Sequence, residues 1–395
     1  MPLFQDPLAI LVILMLNIVI SEQLARLPYL RHMGTALIVI LFTALTSNIG
    51  LIPASTDVPP LYDGIFTYLA PVSIFYLLLT VNLKDIQKAG KPMIGSFLLG
   101  ALGTMLGVTA GIVAINGPEG FGKFYYALGG MFTGTYIGGS SNFNAIALHY
   151  GINKEGHLYA SATAIDNILT ALWMISTLLL PQLLNRYFPR RSPSSSSAQV
   201  LPSLETEISS ATNDTETFTP QDLAILIGLG AFGLLVSSQV SLWFPKIPSI
   251  LVLTTLALGL AQWPVIQRLR GMKVLAMFCI YLFLAVIGAF CDIEALFKDG
   301  TLALSMVIFV SVLITVHASI IFGIGALLKQ DWDILAIASQ ANVGGSASAL
   351  ALSKSLNRPD LYLPAILVGA LGNALGTYCG LAVAQFLTTL FGTEF

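Results

Sequence analysis

GTYIGGSSNFNAIA, residues 134–147, decides how this chain has to fold. It lies in an apolar sequence, yet Gly138 and Gly139 are poor helix residues. Ser140, Ser141, Asn142 and Asn144 are polar groups that hydrocarbon does not tolerate unpaired. A second copy, SQANVGGSASALAL, fills residues 339–352 and carries Asn342, Gly344, Gly345, Ser346 and Ser348. Paired glycine breaks at matching places in two halves of a membrane chain are the best sequence pointer to a transporter's binding site.

The surrounding sequence makes it a membrane chain. Of 395 residues, 55% are hydrophobic and 10% charged. A soluble domain carries about a quarter charged residues, so an all-α polytopic membrane protein is expected. A spanning helix needs about 20 mostly apolar residues. Segments near 7–25, 34–52, 65–83, 93–115, 158–184, 221–243, 248–266, 273–291, 301–328 and 361–390 qualify. One glycine stretch precedes the fifth of these and the other precedes the tenth. Residues 187–219 are rich in Ser, Thr and Pro, with Glu205, Glu207, Asp214 and Glu216, and read as a flexible cytoplasmic tether. The tether divides the chain into repeats at 1–186 and 220–395. Asp6 precedes the first apolar run and Arg26 and Arg31 follow it, the pattern of an uncleaved span whose N-terminus is outside.

The halves share an order of apolar runs, a Gly-Gly break and a long final helix. IVILFTAL at 38–45 is similar to ILVLTTLAL at 250–258, and Asn167 pairs with Asn373. Charge then bears on whether the glycine stretches cross. With both crossing, the 18 Lys and Arg divide ten to eight between the two sides. With both dipping in and returning, all except Lys123, Lys154, Lys246 and Lys298 fall on one side, as the positive-inside rule favours. Each half then has five spans, an odd number, and the repeats are inverted, with the C-terminus outside.

Each break frees N–H groups at the start of the second half-helix, suited to an anionic group, and carbonyls at the end of the first, suited to Na⁺. Gly138, Gly139, Ser140, Ser141, Asn142 and Asn144, with Asn342, Gly344, Gly345, Ser346 and Ser348, are therefore the candidate solute ligands. By contrast, Gly103, Gly107 and Gly111, and also Gly372, Gly376 and Gly380, recur every four residues and read as close-packing faces. Asp166 lies eight residues after Leu158, roughly 12 Å into its span. A carboxylate at that depth costs about 3 kcal/mol and is a functional candidate by default. Asp166, Asn167 and Asn373 are the candidate ligands for a coupling Na⁺ or H⁺. His317, in the middle of its span, reads as a satisfied hydrogen-bonding residue rather than a proton carrier. His149 is expected to face water.

Other classes lack support. Ala347 breaks the Gly-x-Ser-Gly pattern of a membrane serine protease, and no His-Glu-x-x-His occurs, so an enzyme is not expected. Cys279, Cys291 and Cys379 fit neither a metal spacing nor a disulfide framework. The net charge of −2 and the absence of basic clusters argue against nucleic acid.

IGGSSNFNA in one half and NVGGSAS in the other resemble the uncharacterised YjcL-like membrane family over the whole chain except the tether. That plan looks like the group of bile-acid/sodium symporters and sodium/proton antiporters, and the paired glycine hairpins resemble those of sodium–glutamate and sodium–citrate symporters. The resemblance to the antiporters implies an acidic pair on the helix after the first broken helix, where this chain has Asp166-Asn167 in reversed order relative to electroneutral exchangers. The expectation is an alternating-access symporter for a small organic anion, coupled to Na⁺ or H⁺, without cofactor, in the plasma (inner) membrane. Cation/proton antiport through Asp166 is the alternative, and a non-transporting receptor or assembly protein a third. A homodimer is allowed by this plan.

Overall fold

All ten apolar segments become helices, and in the computed structural model they stand with three more helices longer than ten residues in the order α1 (Pro7–Ala25), α2 (Gly34–Asn48), α3 (Pro60–Leu79), α4 (Lys91–Ala114), α5 (Tyr125–Gly138), α6 (Ser140–Tyr150), α7 (Gly156–Tyr187), α8 (Pro220–Trp243), α9 (Ser249–Leu260), α10 (Met272–Ala289), α11 (Gly300–Leu327), α12 (Trp332–Ser355) and α13 (Tyr362–Phe391). The structure describes residues 2–27, 29–30, 34–54, 59–190, 218–291 and 300–392, so Arg31, Lys298 and the tether from 191 to 217, with its four acids, lie outside the described residues. Eight of these helices are long and apolar enough to cross a membrane, while α2 and α9 are shorter apolar helices. The chain is an integral membrane protein, all-helical among the described residues.

Local chemistry sets the helix ends. The Asp6 carboxylate accepts from the N–H groups of Leu8 and Ala9 ahead of Pro7, and Thr219 and Asp222 form a reciprocal cap ahead of Pro220. The third span starts at Pro60, five residues before the expected position, and ends at Leu79. Its π-helical turn, Ile65–Leu69, lies just before Pro71. Proline has no N–H and its ring crowds the preceding turn, and a widened turn accommodates both effects. Past Leu79 the chain is tied down by Gln262, whose amide accepts from Leu83 N–H and donates to Val81 O.

Two layers result. The first three helices of each half, α1–α3 and α8–α10, pack together as one layer, and α4–α7 with α11–α13 form the other. Within the first layer, α10 lies against α2 at Gly288, and Tyr76 of α3 donates to Leu226 O of α8. In the second, α4 and α11 run antiparallel: Gly103 meets the backbone of His317, Gly107 that of Leu313 and Gly111 that of Phe309. The fourfold glycine spacing thus serves close approach, as expected.

The broken helices pack across the halves. Gly130, Gly134 and Gly138 of α5 press on Gly380, Gly376 and Gly372 of α13, running antiparallel to it. Along α6, Asn142 meets Gly376 and Ile146 meets Gly380, which is the parallel direction. Both arms therefore lie along the same length of α13, and Gly130 touches Ile146. On one straight helix those two residues would stand about 24 Å apart. At the outer ends of the arms, Tyr126 and Tyr150 meet edge to face. In the other half α12 changes direction at Gly345, and Arg358 beyond its end reaches Asp331 and Asp333 at its start, at 2.9 and 2.7 Å. Gly139 (φ 85°) and Gly345 (φ 73°) occupy backbone conformations that favour glycine.

Candidate functional site

The two bends meet on one helix. Gly139 and Ser141 lie against Asn373 of α13, with Ser141 Oγ donating to Asn373 Oδ1 at 3.5 Å, and Ser346 packs on Gly369 one turn earlier. Ser140 is exposed and Gly345 borders open space, so the tips of both broken helices front a gap rather than packed protein. Asn142 is buried; its Oδ1 accepts from Thr377 Oγ1 at 2.7 Å, while its Nδ2 has no partner. Ser348 donates to Gly345 O at 3.1 Å and stabilises the second bend locally. Gly138 and Gly344 are filled against by neighbouring side chains and backbone, so their role is close approach. Asn144 accepts from Tyr159 O–H, so its side chain serves packing between α6 and α7.

Asp166 lies beside the last turn of α5. Its neighbours are Tyr136 of α5 and Thr170, one turn further along α7. Tyr136 Oη, Asp166 Oδ1 and Thr170 Oγ1 are all shielded from solvent, and none has a well-formed hydrogen bond among the described residues. Expected companions of Asp166 separate from it: Asn373 belongs to the tip of α6, and the Asn167 side chain has no hydrogen bond among the described residues. Adjacent helix residues point about 100° apart, so the side chain beside an acid does not share its partners.

His317 is a hub of hydrogen bonds, in keeping with its reading as a satisfied hydrogen-bonding residue. Trp173 Nε1–H donates to Ser339 Oγ at 3.1 Å, and Ser339 Oγ lies 2.8 Å from His317 Nε2. His317 Nδ1 lies 2.9 Å from Gly100 O and 3.0 Å from Thr104 Oγ1, and Thr104 donates to Tyr136 O. A carbonyl only accepts, so Nδ1 carries the hydrogen and Nε2 accepts from Ser339. One neutral imidazole thereby joins α4, α5, α7, α11 and α12. Gln340 accepts from Thr177 at 3.1 Å but leaves Nε2 unpaired, and Asn342, fully buried against Gly100, leaves both amide atoms unpaired.

Residue-type reasoning missed Tyr136, Thr170, Thr377, Ser339 and Trp173. Thr170 and Thr377 were findable, since each follows a singled-out residue, Asp166 or Asn373, by four positions and so shares its helix face. Tyr136, which another element brings in, carried no such signal.

A family model described as a protein of unknown function (DUF819) matches residues 9–390. This chain belongs to the DUF819 family. It is also 28% identical over 385 residues to the uncharacterized membrane protein YjcL of Bacillus subtilis (strain 168), covering 92% of each chain. The YjcL-like resemblance thus extends over nearly the whole DUF819 chain, and the glycine bends, Asp166 and Asn373 all fall inside the matched region.

Proposed function

We propose that this DUF819 protein is a secondary active transporter whose two broken helices are re-entrant hairpins, one from each of two inverted repeats. The observation that carries the reading is that both arms of α5–α6 lie along one stretch of α13, with their tip beside the tip of α12. Such a helix returns to the side it came from, and each half then has five crossings. A gap fronted by two half-helix starts suits a carboxylate or similar anionic group, because unpaired N–H groups and the helix dipole both favour negative charge. The proposed solute is a small organic anion, held by Ser140, Ser141, Asn142 and Asn373 on one side and by Gly345, Ser346 and Ser348 on the other. Alternating access would move α4–α7 and α11–α13 against the layer of α1–α3 and α8–α10. Asp166 would couple that movement to Na⁺ or H⁺.

Uptake of labelled carboxylates and amino acids into proteoliposomes tests this, with Na⁺ and proton gradients imposed separately. Solute entry driven by either gradient is the expected result. A second reading, cation/proton exchange, is favoured by one observation: Asp166 lies beside two buried hydroxyls, Tyr136 and Thr170, that are not among the proposed solute ligands. Na⁺-driven dequenching of an internal pH dye without any solute would replace symport by that exchange.

A further inference from the structure

We propose that Asp166 Oδ1, Thr170 Oγ1 and Tyr136 Oη together bind one monovalent, sodium-sized cation. The site deepens the transporter reading and rests on it for the purpose of the ion, though not for its binding. Three features of the chain converge here. Helix α7 runs unbroken from Gly156 to Tyr187, so Asp166 and Thr170, four residues apart, stand one above the other on one face. Helix α5 brings Tyr136, which is fully buried, to the same place. The three oxygens are neighbours, all hidden from solvent, and none has a well-formed hydrogen bond among the described residues.

An unpartnered buried polar atom costs about 1–3 kcal/mol, so three in one spot imply a missing partner. A water molecule can bond all three groups, since the two hydroxyls also donate, but it leaves the buried carboxylate charge unbalanced. A monovalent cation meets all three oxygens at once and balances that charge. Charge agrees. Helices α5 and α13 hold no Lys or Arg, α6 holds none, and α4, α7 and α12 hold theirs only within the first or last turn. Among the described residues Asp166 therefore has no cationic side chain to balance it, and one carboxylate matches one positive charge. A divalent ion would demand more oxygen ligands and more charge than the cluster offers.

The test is thermal unfolding of the purified full-length protein in detergent, at fixed pH, with choline replaced stepwise by Na⁺, Li⁺ or K⁺. The expected result is a saturable rise in melting temperature with Na⁺. Asp166→Asn should abolish the rise. Thr170→Val and Tyr136→Phe, which keep shape, should each raise the half-saturating Na⁺ concentration about tenfold or more. Ser176→Ala, on the same helix but bonded to Leu172 O on the exposed face, should respond as the unaltered protein does. A melting temperature indifferent to every alkali cation, or an Na⁺ response that survives in Thr170→Val and Tyr136→Phe, would overturn the site. So would a response to pH alone that disappears in Asp166→Asn, since that assigns the carboxyl to a proton. None of these readings involves transport: lack of uptake would defeat the transporter reading with the cation site standing, and lack of an Na⁺ response with uptake intact would defeat the site alone.

Discussion

Gly372 shows how little room the glycine contacts leave. A Cβ there would lie 2.2 Å from Ile137 O, whereas one at Gly228 on α8 would meet nothing within 4 Å. Gly372→Ala should therefore destabilise the protein by about 1–3 kcal/mol, the cost of overpacking, while Gly228→Ala should be neutral or raise stability by up to about 1 kcal/mol. Comparing the two melting temperatures checks this, and an equal effect would mean that α5 does not press on α13. Ser339 accepts from Trp173 and bonds His317 Nε2, so Ser339→Ala strands two buried groups. A loss of about 1–3 kcal/mol is expected, read by the same unfolding experiment.

Among the helices, α12 depends on a contact distant in sequence. Arg358, 7% exposed, bonds Asp331, Asp333 and Asp360, and so holds the end of the broken helix to its beginning. Removing one member of a buried ion pair costs about 3 kcal/mol, because it leaves the others uncompensated. Arg358→Ala should accordingly speed hydrogen exchange in the first turn of α12 and leave α5–α6 unchanged. Acceleration spread evenly over both broken helices would show that the pair is not a local staple. Side of access tests re-entry itself. Cysteine replacing Lys154 should be labelled from outside, and cysteine replacing Lys354 from inside; labelling of both from inside would restore a chain in which both broken helices cross.

At the scale of the whole molecule, the two layers meet beside a cavity of about 510 Å³ bounded by the π turn of α3, by α8 and α9, and by the end of α6. If the layers move past one another during transport, filling that space should slow turnover more than it harms folding. Ala231→Trp places a large ring there, and the expected outcome is a several-fold lower uptake rate at a near-normal melting temperature. An unchanged rate would place the moving boundary elsewhere.

Composition and periodicity determined the membrane class, the ten apolar helices, the two glycine bends and the fourfold glycine faces, because each is a local property of a run of residues. Asp166 also stood out alone, since a carboxylate in an apolar span is costly wherever the rest of the chain lies. Its partners did not. Tyr136 reaches it from α5, Asn373 goes to the tip of α6, and Arg358 closes α12 from 27 residues away. These pairings depend on which helices lie side by side, and that is settled by the fit of whole faces, such as the glycine stripe of α5 on that of α13. The break at Gly138–Gly139 follows from its own residues, whereas the folding of its two arms along α13 follows from packing, because the contacts that turn them back lie more than two hundred residues away.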